Sequence, residues 1–155
     1  MIAWGTLVTP SPYEGAPPEI SLFSTESYWG SPGSRLRRMT VRLDGFVSIQ
    51  AKRDGGTFIM RPMVFSRHAQ QKTRLVLNAA TAAFGGIRCE LIDRQGHPFP
   101  GFTLADCRPL LGDGVQLVVS WRGEDDLSRL ADVTFRMRFE LKDTDLFGLQ
   151  LVTGE

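Results

Sequence analysis

The sequence predicts an all-β protein, a two-sheet antiparallel β-sandwich of jelly-roll type, and three observations carry that reading. From Arg35 onward apolar and polar residues alternate at period two, the alternating runs are short and closed by Gly, Asp and Pro turn signals, and no window of about 11 residues carries a helical period.

The elements follow in chain order. Met39, Val41 and Leu43 alternate with Arg38, Thr40 and Arg42, and Asp44-Gly45, a two-residue hairpin signal, leads into residues 46–51, so the two runs are expected to pair. Asp54-Gly55-Gly56 turns the chain into residues 57–65, where Pro62 marks an edge or bulged strand. A polar loop at 66–72 precedes a strand at 73–79. Gly85-Gly86 opens another at 87–92, and Asp93-Arg94-Gln95-Gly96 closes it. Pro98, Pro100 and Gly101 punctuate a long connection to Cys107 and Pro109. Residues 115–121 alternate again, and 127–130 have room for one helical turn. Finally Phe135, Met137, Phe139 and Leu141 oppose Arg136, Arg138 and Glu140; Lys142-Asp143-Thr144-Asp145 reads as a turn, with 146–151 returning. Residues 1–34 form a Pro/Gly-rich lead-in expected to lie along the sandwich, with 19–23 adding an edge strand; residues 35–155 form the sandwich domain.

The chain's 155 residues, 42% hydrophobic and 23% charged, suit one ordinary soluble domain. A net charge of +1 gives no basic field that would point to nucleic acid. The apolar runs fall far below the roughly 20 residues of a membrane-spanning helix, so no membrane partner is expected. No export signal stands at the start, and the compartment stays open. All the basic residues except Lys52, Lys72 and Lys142 are Arg. Cys89 and Cys107 match no disulfide framework or ligand spacing; Cys89, in phase with Ile87 and Leu91, reads as a small core residue.

No nucleophile elbow, zinc-protease helix, phosphate loop or dinucleotide fingerprint is present, so no catalytic residue is assigned. His68 and His97 read as loop histidines. Glycoside hydrolysis would need two carboxylates converging from among Glu19, Asp44, Glu90, Asp106, Asp113 and Glu140. Asp143-x-Asp145, completed by Glu19 or Asp113, has the oxygen donors that Ca²⁺ takes. Turn chemistry accounts for the same aspartates without metal, and no cofactor is expected.

Sugar recognition needs an aromatic face and planar polar groups. Tyr13, Tyr28, Trp29 and Trp4 are the aromatic candidates, with Arg35, Arg37, Glu26 and Asn78 as polar neighbours. Tyr28, Trp29, Arg35 and Arg37 form the candidate ligand-binding set. The competing reading of Tyr28-Trp29 is that the two rings pin the lead-in. Trp121, in phase with Val115, Leu117 and Val119, reads as core. Arg38, Arg42, Arg88, Arg136 and Arg138, beside Glu90 and Glu140, would form a cross-strand charge ladder or a partner-docking face if their strands are neighbours.

The string Arg35-Leu36-Arg37-Arg38-Met39-Thr40-Val41-Arg42-Leu43-Asp44-Gly45-Phe46-Val47-Ser48 resembles the C-terminal β-sandwich domain of large bacterial proteins related to glycoside hydrolase family 32, whose N-terminal part is a five-bladed β-propeller. Residues 75–78, 86–91, 100–107 and 136–141 extend the likeness over most of the chain from Arg35 on. In that family the catalytic carboxylates belong to the propeller, so the resemblance implies a non-catalytic accessory module. Its expected partners are a polysaccharide or oligosaccharide, bound weakly, and a catalytic propeller domain. The alternatives are a structural domain docking a partner through its Arg-rich face and an independent glycan-active enzyme.

Overall fold

The computed structural model describes residues 5–27, 29–30, 33–66 and 71–154. The protein is all-β: 55% of the described residues lie in strands or isolated β-bridges, and they form two antiparallel sheets. It divides into two units between Val47 and Ser48, each holding one sheet. No helix among the described residues is long and apolar enough to cross a membrane.

The first unit is a three-stranded meander of β1 (Leu7–Thr9), β2 (Glu19–Glu26) and β3 (Arg35–Arg42). Residues 19–23 therefore belong to a central strand. Register aligns Val8, Ile20 and Val41, and sets Leu22 opposite Met39, so one face is apolar. The other face carries Thr9, Ser21, Thr40 and Arg38. There Ser21 is fully buried, its Oγ 2.9 Å from Thr9 Oγ1, and Arg38 donates from Nε to Ser21 and from Nη2 to Thr9, each at 2.9 Å.

The Asp44-Gly45 signal marks a real turn. Asp44 is left-handed (φ 55°), Gly45 N–H bonds Arg42 O at 2.9 Å, and a Cβ on Gly45 would meet Arg42 Cβ at 2.6 Å. The flanking runs do not pair. β3 joins β2, whereas the next strand belongs to the second sheet, because turn chemistry specifies a reversal and not the neighbour that follows it.

The second unit contains β4 (Ile49–Ala51), β5 (Gly56–Ile59), β6 (Lys72–Ile92), β7 (Asp113–Val118), a 3₁₀ turn at Ser128–Leu130 and β8 (Arg136–Gly154). β8 runs along β6 on one side and along β4 and β5 on the other, and β7 takes the far edge of β6. The strands expected at 73–79 and 87–92 are one continuous strand, as are those expected at 135–141 and 146–151. Where turns were expected, the two interruptions face each other. Thr81 pairs Thr144 and Gly86 pairs Lys142, so residues 82–85 bulge opposite Asp143 alone. Asp143, left-handed at φ 44°, marks a change of phase in β8: Met137, Phe139 and Leu141 are buried before it, Thr144 and Leu146 after it. A phase change is what a turn and a bulge have in common, and the sequence pattern alone does not separate them.

Leu75, Leu77, Ile87, Cys89 and Leu91 of β6 and the inward residues of β8 form one face of the core. Phe102 and Cys107 from the connection before β7, and Trp121, Leu127 and Leu130 from the segment after it, join the same core. Trp121 packs edge-on to Phe102 with centroids 5.2 Å apart and donates its indole N–H to Cys89 O at 2.8 Å, which places it in the core as its phase predicts. Phe58 of β5 stacks on Phe139 at 5.0 Å.

Candidate functional site at the β2–β3 tip

Glu26 and Arg35 are the last register pair of β2 and β3, and the connection between them carries Tyr28 and Trp29. Ser27 is left-handed (φ 54°) and its carbonyl accepts from Gly30 N–H at 3.1 Å, while Gly30 O accepts from Gly33 N–H at 3.2 Å. Trp29 is 94% exposed, which removes it from any core. One step back from the tip, Arg37 Nε donates to Glu26 Oε1 at 2.9 Å, with both side chains partly solvated. Arg35 lies between them in sequence, exposed. The structure thus gathers Trp29, Arg35, Arg37 and Glu26 at one end of one sheet. Tyr28, Trp4 and His68 lie outside the described residues.

An indole face matches the apolar face of a pyranose, and a guanidinium–carboxylate pair offers donors and acceptors to its hydroxyls. Tyr13, also exposed, sits in the β1–β2 connection at the opposite end of the sheet, beside an open groove of about 540 Å³ bordered by Pro10, Ser11, Glu14 and Pro18. Asn78 is buried within β6 and is no part of the tip.

The candidate carboxylates are spread over turns, strands and connections with separate structural partners. Glu19 accepts from Ser11 Oγ at 3.3 Å. Glu90, 2% exposed, pairs with Arg138 and accepts from Leu104 N–H at 3.1 Å. Asp106 accepts from Thr103 Oγ1 at 2.9 Å and Arg122 Nε at 2.5 Å; the Thr103 hydroxyl first, and then Arg122, hold its carboxyl below the usual range. Glu140 stands opposite Arg88 in register, and Asp44 forms the turn after β3. Asp145 Oδ1 accepts from Ser48 Oγ at 2.8 Å, while Asp143 is the bulge residue. Among the described residues no group of three or more His, Cys, Asp or Glu is placed to hold a metal ion. Exposed His97 is held in a turn, its backbone N–H donating to Asp93 Oδ1 at 2.9 Å.

The five arginines belong to two sheets. Arg38 and Arg42 lie on β3, whereas Arg88 opposite Glu140 and Arg138 opposite Glu90 form a charge ladder across β6 and β8. Arg136 donates from Nε to Met60 O at 3.2 Å. Cys89 and Cys107 are free, buried thiols; Cys89 N–H points at Cys107 Sγ, 3.3 Å away, and burial pushes both thiols up, Cys89 strongly.

Sequence reasoning missed the surface made by the 82–85 bulge, where Phe84 is 87% exposed. The signal for it was the Gly85-Gly86 pair, which reads equally as the start of a strand. Comparison with protein-family models, with curated proteins and with solved structures found no match.

Proposed function

We propose that the protein is a non-catalytic accessory module of a carbohydrate-active enzyme that contacts glycan weakly through the β2–β3 tip. The observation that carries the reading is Trp29, an almost fully solvated indole in the β2–β3 connection, with Arg35 and the Arg37–Glu26 pair at the same end of the sheet. A side chain so exposed buries little of its surface, and an aromatic close to planar polar groups is what a sugar ring requires. The accessory role draws support from the carboxylates: Glu19, Glu90, Asp106 and Asp145 all accept structural hydrogen bonds. It also draws on the first sheet, which exposes Leu7 and Leu36 on one face and Val8 and Met39 on the other, apolar surface suited to a neighbouring β-domain such as the propeller that the sequence resemblance implies.

Electrophoresis through gels containing plant, algal or bacterial polysaccharide tests the glycan contact. Retention on at least one polymer is expected, with loss of retention in Trp29→Ala and a melting temperature close to wild type, since exposed substitutions away from structural features fall within about 0.5 kcal/mol. Retention of Trp29→Ala equal to wild type, or a large loss of melting temperature, would refute the assignment of the tip.

A further inference from the structure

We propose that Cys89 and Cys107 form a latent disulfide, closed by a low-molecular-weight disulfide while the second unit folds, that ties the connection after β6 covalently to that strand. This modification site is independent of the glycan reading. The two are the only cysteines of the chain, so within one molecule the pairing is unambiguous. Cys107 Sγ lies 3.3 Å from Cys89 N, the atom next to the α-carbon that bears the other thiol. The backbone is pinned on both sides of this contact. On one side Leu91 N–H donates to Phe102 O at 3.0 Å; on the other, Ile87 and Leu110 exchange N–H···O bonds of 3.1 and 2.9 Å. Cys107 also bridges to Trp121, whose indole N–H bonds Cys89 O. A disulfide forms only between cysteines on neighbouring backbones, and here backbone bonds hold the two segments together without any help from sulfur.

As donors the thiols make only weak contacts, Cys89 Sγ to Glu90 O at 3.8 Å and Cys107 Sγ to Arg108 O at 3.6 Å, so little is given up when they are replaced by an S–S bond. Burial decides the timing. Both side chains are buried in the folded unit and burial pushes both thiols up, which leaves little thiolate and no access for an oxidant. While the connection is still open, the same thiols are solvated and ordinarily reactive. The Cys107 thiolate then attacks one sulfur of the small disulfide and expels the first small thiol; the Cys89 thiolate attacks the Cys107 sulfur of the mixed disulfide and expels the second. One protein S–S bond replaces two S–H bonds, and the two electrons and two protons leave with the pair of small thiols. The product closes a loop around residues 90–106, which restricts the unfolded chain and favours the folded one.

The test refolds the whole chain from urea, once with a mixture of oxidised and reduced glutathione and once with excess dithiothreitol, and compares intact mass and melting temperature. The glutathione sample should be a monomer lighter by about 2 Da, the mass of the two hydrogens lost, and should melt about 5 °C or more above the reduced one. Cys107→Ala, which keeps a small apolar side chain in the core, should show neither the mass loss nor any gain in melting temperature from glutathione. Four results would overturn the proposal: a refolded monomer that keeps both thiols, one that carries glutathione adducts, a covalent dimer, or an oxidised monomer that melts no higher than the reduced one. A glutathione-dependent rise in the melting temperature of Cys107→Ala would overturn it as well, since no internal cross-link can form there.

Discussion

Replacing Arg138 with Met tests whether the charge ladder contains a pair that the fold depends on. Glu90 is 2% exposed and has two contacts, Arg138 Nη2 and the Leu104 N–H at 3.1 Å. The substitution keeps much of the Arg138 stem and removes the charge, leaving a buried carboxylate with one amide. Breaking a buried pair in this way costs about 3–5 kcal/mol. Arg138 is 37% exposed in its side chain, so part of its charge is already solvated and the lower end, about 3 kcal/mol, is expected. That corresponds to a melting temperature lower by about 10 °C. Urea unfolding followed by tryptophan emission measures it, and buried Trp121 reports on the same core. Adding Glu90→Gln keeps an acceptor for Leu104 N–H and removes the stranded charge, so the double variant should recover about 2 kcal/mol of the loss. A single variant within about 0.5 kcal/mol of wild type, or a double variant no better than the single, would show that Arg138 acts as an ordinary surface charge.

Gly85→Ala should destabilise by about 2 kcal/mol or more, since its Cβ would meet two backbone carbonyl oxygens that cannot yield without breaking the β8 ladder; chemical denaturation giving a wild-type midpoint would refute the close packing of the bulge. Asp106 makes a pH prediction. Its folded carboxyl lies below the reference value of 3.8, so its stabilisation is complete above that value and is lost as pH falls through the lower, folded one. Melting temperatures from pH 7 to pH 2 should therefore fall less steeply below about pH 4 in Asp106→Asn than in wild type, and parallel acid limbs would contradict the assignment.

The strand content and the inward residues were legible because they depend on local alternation. Met137, Phe139, Leu141, Cys89 and Trp121 are buried as their phase predicts. Pairing was less legible. The Asp44-Gly45 turn has the chemistry of a hairpin, yet β3 turns back to β2, and the preference of β4 for β8 depends on residues far away in the chain. Likewise Lys142-Asp143-Thr144-Asp145 carries turn residues at a phase break, and the opposing bulge at 82–85 that makes it a continuous strand is distant in sequence. For the tip, aromatic and planar polar residues close together in sequence were enough to single out Trp29, Arg35 and Arg37. The Arg37–Glu26 pair needed the β2–β3 register.

The β6–β8 ladder also makes the second unit depend on pairings between residues far apart in the chain. Its innermost rung, Ile92 with Arg136, already encloses residues 93–135, and every further rung toward Lys72 with Gly154 encloses more. Closing that first loop costs chain entropy before any rung repays it, and the enclosed segment must itself supply Phe102, Cys107, Trp121, Leu127 and Leu130 to cover the strands. A topology dominated by such distant pairings belongs to the slow end of single-domain folding, on the scale of milliseconds to seconds. Until closure, β6 is a stretch of 21 residues whose Leu75-Val76-Leu77 and Leu91-Ile92 runs are open to other chains, so the architecture that gives the finished unit its single deep core also gives the nascent chain its longest exposure to misassociation.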